Sequence, residues 1–231
     1  MGLIMILKAE RIADLLRQGE HSGTVDPLVI TPRPDPDAIE ATGAASIDLR
    51  LGTWFMTLRQ SRMTHLSIDD SLPSSQLTKT HFVSFGNEYV LHPGNFVLSV
   101  TLEWMRIPKD LAAYVIGRSS WGRRGLIIAT ATGVHPGFTG CLTLELSNLG
   151  ELPIAIKPGM GICQLFFHRV EQTGKPQTDA SQFIGLRKPT VGRIELDVIA
   201  SACRKIRLAR IFPATFGKNL REDGNLSQPG V

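Results

Sequence analysis

Between residues 45 and 170, short segments of alternating or continuous apolar residues are separated by turns that contain proline and glycine. Residues 45–51 alternate small or apolar side chains with polar ones, which is the pattern of a strand that buries one face. Two later blocks, residues 89–100 and 152–167, each contain an apolar run, a Pro-Gly turn and a second apolar run. Short strands at this spacing predict a mainly β fold, an antiparallel sandwich or barrel. Residues 60–80 are polar and rich in serine and threonine, and are predicted to form a long loop.

One amphipathic helix is predicted near the N-terminus. Ile12, Leu15 and Leu16 fall at positions i, i+3 and i+4, so a helix over residues 7–18 would bury all three on one face. Gly19 follows in the position at which glycine commonly ends a helix. The proline-rich segment after this helix is predicted to be mostly loop.

The composition changes after residue 192, where apolar residues at helical spacing alternate with arginine and lysine. This pattern predicts a basic amphipathic helix, and the polar stretch from Lys218 onward is predicted to be disordered. We therefore expect a domain of residues 1–192 and a basic C-terminal extension of residues 193–231. The net charge of +4 comes from the end of the chain: residues 187–231 hold nine basic and four acidic residues, leaving 16 basic and 17 acidic elsewhere. Nucleic acid is therefore not expected as a partner of the domain.

The overall composition is that of an ordinary globular protein, with 42% hydrophobic and 20% charged residues. No apolar run approaches the roughly 18 residues of a membrane-spanning helix, and the short apolar N-terminus runs into charged residues, unlike a signal peptide. Cys141, Cys163 and Cys203 are odd in number and lie among apolar residues, which favours reduced thiols over a disulfide framework. We expect a cytoplasmic protein that does not bind membranes.

Several motifs of known catalytic sites are missing from the sequence. Zinc-dependent nucleobase deaminases carry His-x-Glu followed by Pro-Cys-x-x-Cys, because their metal must generate hydroxide near neutral pH, and neither part is present. The six histidines show no ligand spacing to one another or to a pair of cysteines. Walker and dinucleotide-binding glycine motifs are also missing. We therefore expect no zinc.

A basic, glycine-rich segment, Gly117–Gly125, follows an apolar run. Its nine residues include three arginines, two serines and three glycines. Such a turn can hold phosphate oxygens with its guanidinium groups and backbone N–H groups. A solvated basic turn fits the composition equally well, so both interpretations stay open on these residues alone.

Residues 132–148 contain a second candidate, a turn with His135 that leads into a predicted strand. Glu145 lies on one face of this strand, opposite three leucines that share the other face by the two-residue period, Leu142, Leu144 and Leu146. Taken alone, Glu145 fits a solvated strand carboxylate and His135 fits a turn residue. These residues alone therefore do not assign a catalytic role to Glu145 or His135.

Six motifs occur in one order along the chain: Ser46–Gly52, Gly117–Gly125, His135–Gly140, Glu145, Pro158-Gly159 and Gln164-Leu165. Over about residues 7–192, this combination resembles the dCTP deaminase family of the dUTPase-like superfamily. The resemblance implies a dUTPase-like distorted β-barrel or jelly roll with a short N-terminal helix, to which the predicted helical C-terminal extension is added. It also implies a homotrimer with active sites between neighbouring chains. The family deaminates the cytosine of dCTP without zinc, and Mg²⁺ would arrive bound to the nucleotide triphosphate.

The resemblance implies three catalytic residues, Glu145, Ser119 and Arg123. Glu145 would be the general base that takes a proton from the water attacking C4 and returns it to the base, while Ser119 and Arg123 fix the water and the developing charge. Arg118 and Ser120 would hold phosphates. The full set of residues expected to bind the substrate is Arg118, Ser120, Thr132, Val134, His135, Phe138, Gln164, Phe183, Arg187 and Lys188.

Two departures from the family pattern bear on function. The turn before Pro-Gly-Phe is one residue shorter than usual, and His135 stands where the family usually has an aspartate. The segment 181–190 resembles the family tail that folds over the triphosphate, but Gln182 replaces its lysine. A lost cationic contact to phosphate would cost about 1.5–3 kcal/mol unless Arg187 or Lys188 substitutes.

Three functions are therefore compatible with the sequence. The first is a dCTP deaminase that releases dUTP and ammonia. The second is a bifunctional deaminase and diphosphatase that forms dUMP, indicated by Gln164-Leu165. The third is a nucleotide-binding trimer with weakened catalysis, indicated by His135 and the altered tail.

Overall fold

The structure is a computed structural model that describes residues 6–19, 23–59, 74–128, 133–170 and 183–192. Its elements in chain order are α1 (Ala9–Gln18), β1 (Val29–Thr31), α2 (Pro36–Thr42), β2 (Ser46–Leu58), α3 (Ser74–Leu77), β3 (Thr78–Phe82), β4 (Tyr89–Leu91), β5 (Phe96–Arg106), β6 (Leu111–Gly117), α4 (Ser119–Gly122), β7 (Leu126–Ile128), β8 (Gly133–Val134), β9 (Thr139–Asn148), β10 (Ile154–Ile156) and β11 (Gly161–Arg169). Strands therefore dominate the described residues, as the apolar pattern predicts.

Most of the strands form one antiparallel sheet in the order β7-β9-β5-β2-β11-β6-β8, with β1 beside β5 and β3 beside β2. The sheet curls until strands from its two ends meet: a Cβ placed on Gly117 of β6 would lie 3.3 Å from Ile128 Cδ1 of β7. The prediction of a mainly β, barrel-like fold with a short N-terminal helix is confirmed.

The two blocks with a Pro-Gly turn are related in space as well as in sequence. Their first strands, β4 and β10, pair with each other as a separate two-stranded sheet, with Tyr89 opposite Ile156. Gly94 and Gly159 of the two turns have φ angles of +73° and +88°, a backbone region that favours glycine. Their second strands, β5 and β11, both join the large sheet.

The core lies inside the curled sheet and under α1. Ile12 and Leu16 are buried and Leu15 packs against the core, so the predicted apolar face of the helix is confirmed. Gly19 is the residue at the C-terminal end of α1, and its N–H donates to the Leu15 carbonyl. Phe55 and Phe167 are among the largest fully buried side chains, on the neighbouring strands β2 and β11.

The prediction of one loop over residues 60–80 is wrong for its last part. Residues 74–80 form α3 and the start of β3, which pairs with β2 with Leu58 opposite Thr78. Lys79, Thr80 and Phe82 of β3 are exposed, so the strand carries few of the apolar positions that identify a strand from its sequence.

Several predictions fall outside the described residues, namely those on residues 60–73, on Cys203 and on the extension 193–231. Within the described residues, Cys141 and Cys163 are free thiols, and Cys163 is fully buried. None of the helices in the described part of the chain is long and apolar enough to span a membrane.

Candidate active site

The basic segment Gly117–Gly125 forms a single helical turn rather than an irregular loop. It leaves β6 at Gly117, and α4 begins directly after Arg118, whose backbone N–H donates to the Ile162 carbonyl of β11 at 3.2 Å. The Trp121 indole N–H donates to the Gly161 carbonyl at 2.9 Å. Two hydrogen bonds to neighbouring residues of β11 therefore fix the position of this turn.

Arg118 and Gln164, both predicted to bind phosphates, lie around one carboxylate. Arg118 Nη1 lies 3.3 Å from Asp48 Oδ2, and Gln164 Nε2 donates to Asp48 Oδ1 at 3.1 Å. Asp48 is directly opposite Gln164 in the pairing of β2 with β11. A Cβ at Gly161 would lie 2.6 Å from Arg118 Nη1, so the guanidinium passes directly over this glycine.

The remaining predicted residues of the turn face solvent. Ser119, Ser120 and Arg123 are exposed. Arg124, which has no predicted role, donates from Nη1 to the Ser120 carbonyl at 2.8 Å and lies 5.9 Å from the centre of the Trp121 ring. The turn thus presents two hydroxyl groups and the Arg123 guanidinium on its outer surface.

Glu145 lies in the middle of β9, opposite Leu98 of β5. Its strand alternates strictly between buried and half-buried residues, so the prediction that Leu142, Leu144 and Leu146 share the buried face is confirmed. Glu145 belongs to the half-buried row. The carboxylate is therefore on the outer face of the sheet wall, supported from behind by the leucines.

The Gly117–Gly125 turn ends just before β7, which pairs with β9, and Glu145 lies further along β9. The Leu149 N–H donates to the Gly125 carbonyl at 2.8 Å, which places the end of the Gly117–Gly125 segment level with Leu149. Leu149 is four residues from Glu145, or about 13 Å along an extended strand. Within one chain, the end of the turn at Gly125 is therefore offset from Glu145 along β9.

The turn between β8 and β9, residues 133–138, carries three predicted substrate-binding residues. Val134 is buried and pairs with Ala113 of β6, while His135 is exposed. The Phe138 N–H donates to the His135 carbonyl at 3.2 Å, closing a tight turn in which Gly137 has a φ of +78°. Phe138 packs against the core. Thr132 lies outside the described residues.

The predicted tail residues run along the start of β9. The Gly185 N–H donates to the Thr139 carbonyl at 2.7 Å, and the Cys141 N–H donates to the Leu186 carbonyl at 2.8 Å. Phe183, at the start of this described stretch, is exposed. The segment is thus tied by backbone hydrogen bonds to the same strand that carries Glu145.

Arg187 and Lys188 contact the wall of a cavity beside β2. Arg187 lines that cavity together with Trp54, and Lys188 Nζ lies 4.0 Å from the centre of the Trp54 ring. Cys141 lines the same cavity, and burial raises the pKa of its thiol, an effect that Arg187 partly offsets. These two cations therefore lie against an aromatic wall, whereas the described contacts of Arg118 are with Asp48.

Asp48 is the residue that sequence reasoning missed. It lies within the motif Ser46–Gly52, but strand alternation alone treats it as one more solvent-facing polar position. Its part in joining Arg118 to Gln164 depends on strand pairing, which the sequence does not show. Among the described residues, no group of three or more His, Cys, Asp or Glu side chains is arranged to hold a metal ion.

A family model described as dCTP deaminase-like matches residues 6–170, which include the basic turn, the turn before β9 and β9 itself. The chain belongs to the dCTP deaminase-like family. The predicted family resemblance is therefore confirmed, and the chain is a member of a family of enzymes.

Curated relatives of this dCTP deaminase-like chain carry two kinds of name. A protein of Dictyoglomus thermophilum named "dCTP deaminase, dUMP-forming" is 36% identical over 197 residues, covering 84% of this chain and 96% of that protein. A protein of Natronomonas pharaonis named "dCTP deaminase" is 38% identical with the same coverage. Among solved structures, a 2′-deoxycytidine 5′-triphosphate deaminase from Agrobacterium tumefaciens has a TM-score of 0.48 and 23% identity, covering 72% of this chain and 47% of that chain.

Proposed function

We propose that the protein hydrolyses the 4-amino group of dCTP, producing dUTP and ammonia. Membership of the dCTP deaminase-like family is the observation that carries this proposal. The residues in proposed catalytic roles, Ser119, Arg123 and Glu145, are all present, and their side chains lie on outer surfaces of the fold. The geometry of Arg118 and Gln164 supports a role for both in phosphate binding.

In the proposed reaction, Glu145 accepts a proton from a water molecule as the water oxygen attacks C4 of cytosine. Glu145 returns this proton to the ring nitrogen beside C4, and the proton of the new C4 hydroxyl then passes to the amino group, which leaves as ammonia while a C4 carbonyl forms. Ser119 holds the water, and the Arg123 guanidinium stabilises the charge that develops in the transition state. The half-buried position of Glu145 on β9 supports this role, because a general base must be open to substrate on one side.

Phosphate binding in this proposal centres on Arg118. Asp48, which accepts a hydrogen bond from Gln164, lies against its guanidinium at the start of α4, where the Ser120 hydroxyl is also exposed. A triphosphate with its bound Mg²⁺ would accept charge-assisted hydrogen bonds from Arg118, and these are about twice as strong as neutral ones. Phe138 supports the sugar from the turn before β9.

We infer that each complete site is shared between two copies of the chain in a homotrimer. Gly125 and Glu145 are offset by about 13 Å along β9, which supports this inference. A second copy can bring its own Ser119 and Arg123 to Glu145. The strand before the turn also carries exposed apolar residues, Tyr114 and Ile116, with 46% and 51% of their surfaces accessible. A second copy packed on this face would bury them next to Arg118.

A second product is favoured by the names of some relatives. Proteins of Dictyoglomus thermophilum and Mycolicibacterium smegmatis, 36% and 42% identical to this chain, are named as dUMP-forming. A chain that also cleaves the triphosphate would release dUMP and pyrophosphate in place of dUTP. The two functions share the deamination step and differ in the phosphate product.

The test is a product assay with dCTP and Mg²⁺ that measures ammonia, dUTP, dUMP and pyrophosphate together. We expect ammonia in equal amount to a uridine nucleotide, and pyrophosphate only if the second function is present. Glu145→Gln should lower kcat by a factor of 10² or more, whereas Glu151→Gln, an exposed carboxylate beyond the end of β9, should leave it unchanged. Nucleotide binding without ammonia at any pH from 6 to 9 would contradict the proposal and favour a non-catalytic binding trimer.

Sharing of sites is tested by mixing two inactive variants, Ser119→Ala and Glu145→Gln, in co-expressed trimers. If each site takes the turn from one chain and Glu145 from another, about one quarter of the sites in random mixtures carry both intact residues. Activity should therefore return to about that fraction of the wild-type value. No recovery, in a mixture whose mass corresponds to three chains of 25.3 kDa, would show that each site is built by one chain.

A further inference from the structure

A cavity of about 450 Å³ opens between β2 and β5, at a place where the sheet is irregular. The pairing of β2 with β5 passes from Leu51–Thr101 to Phe55–Ser99, so three residues of β2 face Val100 alone. The pairing of β5 with β9 also shifts, between Val100 and Trp104. Two bulges on neighbouring strand pairs thus open the space, and such bulges are over-represented next to functional sites.

The irregular strands are held by specific hydrogen bonds. The Thr101 hydroxyl donates to the Glu103 carbonyl at 2.8 Å and accepts from the Leu142 N–H at 3.0 Å, replacing ladder hydrogen bonds that the bulge removes. Arg50 Nε donates to the buried Glu103 carboxylate at 2.6 Å. The cavity is therefore a built part of the fold, because the polar groups around the bulges are satisfied.

The cavity combines aromatic, hydroxyl and cationic groups. Trp54 and Trp104 line it together with Thr31, Thr53 and Thr101, and Arg187 lines it as well. Lys188 does not line the cavity, but its Nζ lies 4.0 Å from the centre of the Trp54 ring. Two cations therefore stand next to the aromatic wall, and no carboxylate is among the lining residues.

This cavity is distinct from the site proposed for dCTP. Its lining residues are Thr31, Gly52, Thr53, Trp54, Val100, Thr101, Leu102, Trp104, Cys141 and Arg187. Of the residues expected to bind substrate, only Arg187 is among them. Arg118, Gln164 and Glu145 are absent from the lining, so a ligand in this cavity would not occupy the place proposed for the triphosphate and the cytosine ring.

We propose that this cavity is a second ligand site, which binds a nucleoside monophosphate with its base against Trp54 and Trp104 and its phosphate on Arg187. Stacking on aromatic side chains suits any nucleobase, and an arginine fork binds phosphate in a bidentate manner. A volume of about 450 Å³ lies within the range of small-molecule sites. Thr31 and Thr53, the lining threonines that are not buried, offer hydroxyl groups to the sugar.

An occupant would also act on the segment that carries Arg187. Backbone hydrogen bonds already tie this segment to β9, from Gly185 N–H to Thr139 and from Cys141 N–H to Leu186. A phosphate on Arg187 would hold the segment in place from its other side. Ligand binding should therefore slow hydrogen exchange at the Gly185 and Cys141 amides.

The three tryptophans allow each site to be observed separately. In Trp121→Phe, the fluorescent residues are the two that line the cavity, whereas Trp54→Phe/Trp104→Phe leaves Trp121 beside the proposed phosphate turn. The probes are AMP and GMP, with adenosine and inorganic phosphate as controls. We expect both monophosphates to change the fluorescence of Trp121→Phe saturably, and to bind more tightly than adenosine or phosphate alone.

Arg187→Gln, made in the Trp121→Phe background, should weaken binding of the monophosphates about tenfold or more and leave adenosine binding unchanged. The matched control is Arg11→Gln on α1, which should change neither. Unchanged fluorescence with both monophosphates at 5 mM would overturn the proposal. An equal loss of monophosphate affinity in Arg187→Gln and Arg11→Gln would overturn it as well. If a tryptophan variant fails to fold by circular dichroism, hydrogen exchange of the wild-type chain decides: slower exchange at residues 139–141 and 185–187 with AMP supports the site, and no change overturns it.

Discussion

Arg50 holds both oxygens of the Glu103 carboxylate across the bulge between β2 and β5. Its Nε donates to Oε1 at 2.6 Å and its backbone N–H donates to Oε2 at 2.9 Å. The Glu103 side chain is only 2% exposed, whereas that of Arg50 is 42% exposed. A carboxylate carried into the core by the irregular strand is thus neutralised by a cation that reaches in from the surface.

The first prediction concerns this pair. Arg50→Met should lower the free energy of unfolding by about 3–5 kcal/mol, because it leaves a buried carboxylate without its counter-charge. Arg11→Met is the control: Arg11 pairs with Asp14 at 3.7 Å on the exposed surface of α1, and its loss should cost less than about 0.5 kcal/mol. Urea unfolding of both variants measures the difference. Equal losses would show that Arg50 does not compensate the buried charge.

The second prediction separates two arginines of the same turn. Arg118→Gln should raise KM for dCTP about tenfold or more with a smaller effect on kcat, because a charge-assisted hydrogen bond to phosphate is lost. Arg124→Gln should leave KM within a factor of two or so, since the Arg124 guanidinium is used by the Ser120 carbonyl and the Trp121 ring. Steady-state kinetics of both variants checks this. A similar rise in KM for both would mean that the turn acts only through its overall charge.

The third prediction concerns the Pro-Gly turns. Gly94 has a φ of +73° and open space around the position of a Cβ, so Gly94→Ala should cost about 1–2 kcal/mol from backbone strain alone. Gly122 also has open space but lies in α4 without a positive φ, so Gly122→Ala should be neutral or stabilising by up to about 1 kcal/mol. Thermal unfolding distinguishes the two. A loss in Gly122→Ala as large as that in Gly94→Ala would contradict the assignment of strain to the turn.

The fourth prediction is a loss of stability at alkaline pH that depends on Cys163. Burial, followed by the nearby Glu103 and Asp48 carboxylates, raises the pKa of this thiol to about 12. In the unfolded chain the thiol ionises near its ordinary pKa of 9. Between these values the folded chain binds more protons than the unfolded one, so stability falls as pH rises, by up to about 1.4 kcal/mol per pH unit.

The comparison is between the wild-type chain and Cys163→Ala, with the free energy of unfolding measured from pH 8 to 10.5. Cys163→Ala should be less stable at pH 8 because it leaves a small void, but its stability should fall less steeply above pH 9. Tyr89, whose pKa is also raised by burial, contributes the same slope to both proteins. Parallel curves would show that the thiol is not the group responsible.

Much of the fold could be predicted from local pattern. The alternation at Leu142, Leu144 and Leu146 identifies the buried face of β9, because successive side chains of a strand point to opposite sides. The spacing of Ile12 and Leu16 identifies the buried face of α1 in the same way. The strand β3 was not predicted from the sequence. It lies beside β2 with most of its residues exposed, so its sequence lacks the alternation of apolar and polar residues that identifies a strand.

The candidate site could be predicted only in its parts. The order of motifs identifies the family and, by resemblance, roles for Glu145, Ser119 and Arg123. The contact of Asp48 with Arg118 and Gln164 was not predictable, because it joins residues 70 and 116 positions apart through strand pairing. Pairing register is a property of the whole sheet, and no local signal records it.

By itself, therefore, the sequence determines most of the strands, the Pro-Gly turns, the N-terminal helix and the family, since each depends mainly on residues that are neighbours in the chain. Only the tertiary structure decides that β4 pairs with β10, and that two bulges open a cavity between Trp54, Trp104 and Arg187. These features depend on which strands meet and at which register, and the burial of apolar surface across the curled sheet fixes that choice.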